Sequence, residues 1–212
     1  NSVPAREIEE AKNFCTSRGI RQVIVERDQF AAPGFADNPK DRCYWCKTYL
    51  FSSLGELAKE HQIAYIIDGT NFSDTKGYRP GLKALAELGV VSPLKEAALT
   101  KEEIRLLSEK EGLPTWNKPS FACLATRFPY GTRITEEKLR AVEAAEQLLF
   151  DLGFTQFRVR CHGDIARIEV LPAQLSKLVA NREAVIARFH ALGFRYVTMD
   201  LEGFRSGSMD GK

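Results

Sequence analysis

The sequence predicts an α/β protein in which a layered domain with a mainly parallel sheet is followed by a small α+β domain. Over residues 1–131, short apolar runs alternate with amphipathic segments, as strands and helices alternate along the chain of a domain built on a parallel sheet. Over residues 132–212 the order is helix, strand, strand, helix, strand. A loop rich in proline, glycine and aromatic residues separates them at residues 116–131, so we predict domains of residues 1–131 and 132–212.

The elements of the first domain are predicted from apolar periodicity and capping residues. Helices are expected over residues 4–18, 42–60, 80–88 and, behind a capping box that begins at Thr100, up to Gly112. Short apolar runs at residues 21–26, 63–67 and 90–94 are expected to be strands. The run at 63–67 is of the type that parallel sheets bury on both faces.

The second domain begins with a long helix, which Thr135 caps and which runs to about residue 152. Strands are expected at residues 155–161 and 165–171 around a short turn, then a helix at 172–191 and a strand at 194–201.

Charged residues alternate along the two paired strands of this second domain. Because side chains alternate along a strand, Arg158 and Arg160 project from one face, as do Arg167 and Glu169. The pattern fits a face that binds an anionic mononucleotide, and it fits an exposed salt-bridged face equally well.

Composition narrows the possible compartments and partners. The 212 residues carry a formal net charge of +2, so no overall field would attract nucleic acid or a membrane. No apolar run approaches the roughly 20 residues that span a bilayer, and no signal-peptide pattern opens the sequence. Five cysteines without a secretory signal favour a reducing compartment, so we expect a cytoplasmic protein without a disulfide framework.

Three cysteines form the first candidate site. Cys43 and Cys46 are three residues apart near the start of a predicted helix, and Cys123 lies between small residues and arginines. The pair alone is compatible with zinc, an iron–sulfur cluster, a redox disulfide or no function. Zinc sites usually have four protein ligands, so three cysteines fit a cluster with one open iron better. An inert, buried Cys123 is the alternative. Cys161 and His162 could complete a zinc site, but Cys161 ends a predicted strand, and no role follows for Cys15.

Polar residues after the predicted strand at 63–67 form the second candidate site. Ligands of open α/β sheets bind beyond the carboxyl ends of strands, so Thr70, Asn71 and Asp74 are candidates to hold a nucleotide or its Mg²⁺. The alternative is a turn in which Asp74 only caps. Arg79 follows and suits a phosphate, unless it is plain surface charge.

Two residues after the last predicted strand form a further candidate anion site. Arg205 and Ser208 lie among small residues there and would suit a phosphate. The alternative is a frayed terminus without a ligand.

Together these stretches resemble the LarE family, the ATP-dependent sacrificial sulfur transferases of nickel-pincer nucleotide cofactor synthesis. The likeness runs over essentially the whole chain. Its stretches are residues 41–47, 68–74, 78–81, 92–94, 119–131 and 201–208. The run Cys-Leu-Ala-Thr-Arg-Phe-Pro-Tyr-Gly from Cys123 is its most specific part, whereas the Gly-Thr-Asn-x-x-Asp turn is shared more widely among PP-loop ATP pyrophosphatases.

The resemblance implies a fold, a reaction and an assembly. The fold is a PP-loop domain, of the adenine nucleotide alpha hydrolase type, followed by a small α+β domain, often in hexamers, so we expect a homo-oligomer (hexamer or trimer). The substrate is a pyridinium dicarboxylate mononucleotide derived from nicotinic acid adenine dinucleotide. ATP, with Mg²⁺, adenylates a carboxylate and releases pyrophosphate, and sulfur then replaces AMP to give a thiocarboxylate.

The family's Ser-Gly-Gly-x-Asp-Ser pyrophosphate loop is absent from these 212 residues. We expect it upstream of Asn1, after the first strand of the domain, so that the N-terminal part of the PP-loop domain is missing here. Without that loop, ATP would lose its main phosphate cradle.

The resemblance also implies two possible sulfur sources. In the three-cysteine type, residues matching Cys43, Cys46 and Cys123 bind a 4Fe–4S cluster whose open iron can carry an extra sulfide. Sulfide or a sulfur-donor protein can renew it, so catalysis is repeatable. In the single-cysteine type, the residue matching Cys123 gives up its own sulfur and becomes dehydroalanine. All three cysteines are present, so we favour the cluster and keep the sacrificial reaction as the alternative.

The remaining site residues complete the hypothesis. Thr70, Asn71 and Asp74, with Arg79 nearby, are expected at the ATP site. The residues expected to position the substrate's phosphate and carboxylates are Glu146, Arg158, Glu169, Arg205 and Ser208. Two other functions stay open. One is a PP-loop tRNA-thiolating enzyme, against which the near-neutral charge counts, and the other is a zinc-stabilised binding domain without enzymatic activity.

Overall fold

The structure, a computed structural model, describes residues 2–209 as a mixed α/β protein. Within that range there are eight α-helices and one three-stranded sheet, joined by loops and short 3-10 turns. The helices are α1 (Ala5–Ser17), α2 (Arg42–Glu60), α3 (Pro80–Glu87), α4 (Pro93–Glu96), α5 (Lys101–Lys110), α6 (Glu136–Asp151), α7 (Leu175–Ala180) and α8 (Arg182–Ala191). The strands are β1 (Phe157–His162), β2 (Ile165–Val170) and β3 (Tyr196–Met199). None of the helices in the described range is long and apolar enough to cross a membrane.

The chain divides into two compact units. The first unit contains the residues up to Glu26, the short stretch Ala36–Asn38 and the residues from Phe121 onward. The second unit contains Arg27–Phe35 and Pro39–Ser120. Helix α1 therefore belongs with the C-terminal elements, and the predicted division after residue 131 stays a prediction.

The core of the first unit lies between α6 and one face of the sheet. Residues three or four apart on α6 point to the same side, and every second residue of β1 faces them. The buried apolar side chains of these two elements are Leu139, Val142, Ala145, Leu149, Phe157, Val159 and Cys161. This packing leaves the other face of β1 to its arginines.

The sheet has the order β1–β2–β3, with β1 and β2 antiparallel and β2 and β3 parallel. Arg158 pairs in register with Glu169, and Arg160 pairs with Arg167. All four side chains therefore share one face of the sheet, as their alternation in the sequence predicts.

Two predicted helix caps are confirmed. The Thr135 hydroxyl accepts a hydrogen bond from the Lys138 N–H at 3.2 Å, at the start of α6. At the start of α5, the Glu103 N–H donates to the Thr100 hydroxyl at 3.3 Å and the Thr100 N–H donates to the Glu103 carboxylate at 2.8 Å. These bonds satisfy N–H groups that have no partner inside the helix.

The predicted helix over residues 172–191 is interrupted. It consists of a 3-10 turn at Pro172–Gln174, then α7, then α8, with Asn181 between the two helices. The Asn181 side chain donates to the Lys177 carbonyl at 2.8 Å. Such a local bond satisfies the end of α7 and competes with continuation of the helix.

The three strands predicted before residue 95 are the main error. Residues 21–26 form no strand, and the runs at 63–67 and 90–94 meet in one parallel bridge, between Ile67 and Val91. Exposure explains this outcome, because no described layer covers these runs: Tyr65 is 75% exposed and Ile67 is 64% exposed. A short parallel pair of strands that buries neither face removes little apolar surface from water. The gain is too small to offset the conformational entropy lost when the chain is ordered.

Candidate functional site

Cys43 and Cys46 lie in the first turn of α2, in the second unit. Neither is part of a disulfide in the described structure, and Cys43 is exposed whereas Cys46 is half-buried. The Gln29 side-chain amide donates to Cys46 Sγ at 3.6 Å, and Arg42 Nη2 donates to Cys43 Sγ at 3.9 Å. Since residues three apart lie on one side of a helix, both sulfur atoms can be approached from the same side.

Asp68 is the centre of a polar cluster in the second unit, directly after the bridge residue Ile67. Its Oδ1 accepts from the Ser92 hydroxyl at 2.6 Å and from the Thr70 N–H at 3.3 Å. Its Oδ2 accepts from the Thr70 hydroxyl and lies 3.8 Å from Lys47 Nζ. A carboxylate has about four lone-pair sites, and each of these four partners takes one. Asp68 therefore holds the loop together rather than offering an open ligand to a metal.

The environment of Asp68 favours its ionised form. Burial raises the pKa of this carboxyl, but hydrogen bonds from Ser92 and Thr70 and the charge of Lys47 lower it by more. The resulting pKa lies below the ordinary value of an aspartate. The cluster thus fixes the backbone of the predicted nucleotide loop through a charged anchor.

The other predicted nucleotide residues follow in the same loop. The Asn71 N–H donates to Asp74 Oδ2 at 3.2 Å, and Arg79 Nη2 lies 3.3 Å from Asp74 Oδ1. Asp74 therefore caps the turn, as the alternative interpretation expected, and it also pairs with Arg79. Asn71 Oδ1 is buried and accepts no hydrogen bond from the described residues. Binding of a nucleotide by these residues stays a prediction.

Cys123 lies at the start of a tight turn in the first unit, which residues Leu124–Arg127 continue. Its Sγ is half-buried and lies 3.0 Å from Ser2 Oγ. The turn is held mainly through its backbone: Arg127 Nη1 donates to the carbonyls of Ala122 and Cys123 at 2.8 and 3.2 Å. The position of Cys123 is therefore set by an arginine four residues later.

Glu146 is the partner that fixes Arg127. Its two oxygens accept from Arg127 Nε and Nη2 at 2.7 and 2.9 Å, and Oε1 also accepts from the Val159 N–H at 3.0 Å. Both side chains of the pair are fully buried. Glu146 thus connects α6, β1 and the turn of Cys123, and its predicted contact with substrate stays a prediction.

The exposed-face alternative for the sheet is only partly right, because the charged face is salt-bridged but buried. Arg160 binds Glu169 through Nε and Nη2 at 3.0 and 2.8 Å, and its Nη1 donates to the Thr126 carbonyl at 3.1 Å. Arg167 lies between Glu169 and Asp200, at 3.1 and 3.0 Å. The network reaches the turn of Cys123 through Thr126.

We call the six residues of this network the arginine cluster; they are Arg158, Arg160, Arg167, Glu169, Asp200 and Arg205. Four guanidinium groups stand against two carboxylates, with Glu202 pairing with Arg205 at the rim. Arg160 and Arg167, directly opposite on neighbouring strands, are like charges, and Glu169 pairs with both of them.

Arg158 is the arginine of the cluster whose positive charge is least favoured by its surroundings. It is 5% exposed, and its Nη1 donates to the Phe157 carbonyl at 2.6 Å. Burial, and then the charge of Arg127, lower its pKa to about 10. The guanidinium stays protonated at neutral pH, and its environment favours any additional anion.

Residues 200–209, which we call the C-terminal segment, contact each arginine of the sheet face. The Phe204 ring lies 5.0 Å from the Arg158 guanidinium, and Ser208 Oγ accepts from Arg160 Nη2 at 2.9 Å and donates to Glu169 at 2.7 Å. Asp200 and Met209 both accept from Arg167, and Asp200 also pairs with Arg205 at 3.2 Å. The predicted residues Arg205 and Ser208 are therefore brought to the same cluster as Arg158 and Glu169.

The three predicted metal ligands come from different units. Cys43 and Cys46 belong to the second unit and Cys123 to the first. Among residues 2–209, no group of three or more His, Cys, Asp or Glu side chains is placed to hold a metal ion. The three-cysteine ligand set stays a prediction.

Several residues of these sites were not chosen from the sequence. Asp68 and Ser92 each follow a short apolar run, and the carboxyl ends of parallel neighbours meet, so their contact was accessible to pattern reasoning. No comparable signal marked Phe121 and Phe204, because their contacts with Arg158 depend on how distant segments pack.

Comparisons with known proteins give the wider class and then the family. No protein-family model matches the chain. It is 28% identical, over 71% of its length, to a glutamine-hydrolyzing GMP synthase chain of Sulfurisphaera tokodaii, of which it covers 46%. It is 42% identical, over 99% of its length, to an uncharacterized protein of Synechocystis, of which it covers 79%. It is 38% identical, over 96% of its length, to the pyridinium-3,5-bisthiocarboxylic acid mononucleotide synthase of Lactiplantibacillus plantarum, of which it covers 74%.

These likenesses are of two kinds. The weaker one suggests the nucleotide-binding PP-loop superfamily. The likenesses to the Synechocystis and Lactiplantibacillus proteins are stronger and extend over nearly the whole chain. The chain belongs to the pyridinium-3,5-bisthiocarboxylic acid mononucleotide synthase family, the LarE family, as its motifs predicted.

Proposed function

We propose that the protein is an ATP-dependent sulfur transferase that converts carboxylates of a pyridinium dicarboxylate mononucleotide into thiocarboxylates. Family membership supports the reaction class, since the Lactiplantibacillus relative is named as a synthase of a bisthiocarboxylic mononucleotide. The observation that carries the proposal is in the first unit, where Arg127 and Arg160 both donate to backbone carbonyls of the turn of Cys123. A candidate sulfur residue is thus joined directly to two buried cationic side chains.

The arginine cluster suits the anionic groups of this substrate. A guanidinium binds a phosphate or carboxylate through two parallel hydrogen bonds. Arg160 at present donates to the neutral Ser208 hydroxyl, which a ligand oxygen can replace without leaving a buried donor unpaired. We propose that Arg158 and Arg205 pair with the anionic groups of the substrate, and that Glu169 and the Ser208 hydroxyl, once released from Arg160, position it beside them.

The reaction requires activation because a carboxylate has no good leaving group. ATP would adenylate the carboxylate and release pyrophosphate. A sulfur nucleophile then attacks the acyl carbon, the bond from carbon to the phosphate oxygen breaks, and AMP leaves. We propose that Thr70, Asn71, Asp74 and Arg79 bind the nucleotide with Mg²⁺, in a PP-loop domain that the likeness to GMP synthases supports.

Cys43, Cys46 and Cys123 are the proposed ligands of a 4Fe–4S cluster. The donor set fits, because thiolates are the ligands of such clusters and side-chain N–H groups already point at the sulfur atoms of Cys43 and Cys46. Bound in this way, the cluster would supply an open iron that carries a renewable sulfide. The role of the protein is to hold these thiolates and to keep the turn of Cys123 next to the substrate site.

Sacrificial transfer from Cys123 is the second candidate. It is favoured by the way Arg127 holds the turn through carbonyl oxygens, which remain in place when the sulfur is lost. In this reaction Cys123 Sγ attacks the acyl adenylate and AMP leaves. The Cβ–S bond then breaks as the Cα proton is removed, which releases the thiocarboxylate and leaves dehydroalanine.

The deciding experiment measures iron and acid-labile sulfide in the protein after anaerobic reconstitution. About four of each per chain are expected, with loss of both in Cys43→Ala and retention in the control Cys15→Ala. Absence of iron and sulfide, together with conversion of Cys123 to dehydroalanine in one turnover, would establish the sacrificial reaction. Zinc alone, with no nucleotide binding, would reject both and leave a zinc-stabilised binding domain.

We further propose that the protein acts in the cytoplasm as a homo-oligomer, a hexamer or a trimer, without nucleic acid or membrane partners. Size-exclusion chromatography with light scattering tests the assembly. A monomer at all concentrations would contradict it.

A further inference from the structure

Two aromatic rings in the first unit face the same cation beside Cys123. The ring of Phe121 lies two residues before Cys123, and its centroid is 5.6 Å from the Arg158 guanidinium carbon. The ring of Phe204, in the C-terminal segment, is 5.0 Å from the same atom. Both distances lie within the roughly 6 Å over which a cation is attracted to the face of an aromatic ring.

The ring of Phe121 and the backbone of Phe204 have contacts that do not involve Arg158. Phe121 packs against Phe157, with ring centroids 5.5 Å apart, and Arg6 lies 4.7 Å from its centroid. The backbone of Phe204 is fixed because its N–H donates to the Val170 carbonyl at 2.8 Å. The Phe121 ring and the backbone that carries Phe204 are therefore in place before a ligand cation binds.

The Arg158 guanidinium is the group that an anionic ligand would draw out of this position. It belongs to a cluster with more guanidinium than carboxylate groups, and it is almost fully buried. Its long side chain can turn toward a phosphate or carboxylate, which offers a stronger interaction than two aromatic rings. The place between the guanidinium's two aromatic neighbours then becomes available to another planar cation.

We propose that Phe121 and Phe204 form the subsite for the positively charged pyridinium ring of the mononucleotide, a subsite that the Arg158 guanidinium fills in the absence of that ligand. This inference rests on the proposed function and adds its mode of ring recognition. The ring carries the carboxylates that react, so it has to lie near the turn of Cys123, and Phe121 is part of the chain entering that turn. In the bound state, the displaced Arg158 guanidinium forms an ion pair with a carboxylate of the ring or with the phosphate of the mononucleotide.

The subsite makes a sharp distinction between two mononucleotides of nearly equal shape. Nicotinic acid mononucleotide has a cationic pyridinium ring, whereas its 1,4-dihydro form has the same substituents on a neutral ring. A cation–π contact predicts tighter binding of the oxidised form, by roughly 2- to 30-fold. The first measurement is therefore the dissociation constant of each form by calorimetry, with unaltered protein.

Variants then locate the discrimination. Phe204→Leu is expected to reduce the ratio of the two dissociation constants, because the Phe121 ring alone remains, and Phe204→Tyr is expected to keep it. The matched control is Tyr196→Leu, which removes an exposed ring of the same unit that also lies near an arginine, with Arg195 at 5.3 Å. The control is expected to leave the ratio unchanged.

The outcomes separate this inference from the function on which it rests. Equal binding of the oxidised and reduced forms to unaltered protein would overturn the pyridinium subsite while leaving the mononucleotide site intact. A preference that Phe204→Leu fails to reduce would also overturn it. Binding of neither form would contradict the proposed function itself.

Discussion

At the scale of single residues, the buried pair of Arg127 and Glu146 determines where Cys123 lies. Glu146 accepts three hydrogen bonds, and Arg127 passes this support on to the carbonyls of Ala122 and Cys123. Glu146→Gln keeps the shape of the side chain and leaves a buried guanidinium without its counter-charge. We expect the free energy of unfolding, measured in urea, to fall by about 3–5 kcal/mol.

The same helix supplies the control for this prediction. Glu136 and Arg140 on α6 are also 2.7 Å apart, but their side chains are 55% and 73% exposed. Glu136→Gln is expected to change stability by about 0–1 kcal/mol. If Glu146→Gln weakened mononucleotide binding with unchanged stability, Glu146 would be a substrate contact, as predicted from the sequence, and not a support for the turn.

Asp68 gives a residue-scale prediction about pH. Its folded pKa lies below the ordinary value, so its ionised form stabilises the fold when the pH is above about 4, near the unfolded pKa. This contribution is lost as the pH falls through the folded pKa. Asp68→Asn should therefore be less stable than the unaltered protein at pH 7, and the difference should shrink progressively below pH ~4.

Thermal unfolding followed by circular dichroism across this pH range tests the Asp68 prediction. Asp28→Asn is the control: Asp28 caps a short 3-10 turn in the same unit, where its carboxylate accepts from the Phe30 N–H at 3.0 Å. A stability difference for Asp68→Asn that does not depend on pH would contradict the charged anchor.

At the scale of elements, the C-terminal segment depends on a close approach at Gly203. Gly203 has a φ of +73°, and a Cβ there would lie 2.8 Å from the Val170 carbonyl oxygen. Gly203→Ala therefore has to shift the segment and the Phe204 ring that follows it. We expect mononucleotide affinity to fall at least several-fold, together with a loss of stability of about 1–3 kcal/mol.

A control at Gly163 separates the cost of the left-handed backbone from the effect of the steric overlap. It has a φ of +70°, but a Cβ there would meet nothing within 4 Å. Gly163→Ala thus shares the left-handed backbone cost without the overlap, so it should reduce stability and leave binding unchanged. Equal effects of both variants on binding would mean that the C-terminal segment does not shape the site.

Element by element, the sequence was informative where a local signal was sufficient. Thr100 and Thr135 cap their helices through bonds to residues three positions away, so their helices could be predicted from short patterns. Strand formation depends on distant partners and on covering layers. Residues 63–67 have the composition of a buried strand, yet Tyr65 and Ile67 remain exposed and only one bridge forms.

The candidate site shows the same limit of prediction. The sequence predicted that Arg158, Arg160, Arg167 and Glu169 share a sheet face, because this follows from alternation alone. It did not indicate that Arg127 and Glu146 hold Cys123, or that Phe204 faces Arg158. Those contacts join residues 19 and 46 positions apart, and only the tertiary packing of the first unit brings them together.

At the scale of the whole molecule, positive charge is concentrated although the total is small. The net charge is +2, while the arginine cluster alone holds four guanidinium groups, all but Arg205 mostly buried. Buried arginines can bind a small anion that enters the site. They cannot make the many simultaneous phosphate contacts along a polynucleotide that give tight, salt-dependent binding.

Because most of the clustered arginines are buried, we predict that the protein binds RNA weakly. In filter-binding titrations, bulk tRNA should bind only weakly, and its affinity should change little between about 50 and 200 mM salt, where a protein with 6–10 phosphate contacts loses roughly 10³–10⁵ in affinity. A steep salt dependence would instead reveal an extended basic surface and favour the tRNA-thiolating function. Because the mononucleotide presents only a few anionic groups to the same cluster, its affinity should survive the higher salt, and measuring both ligands in one salt series decides between the two substrates.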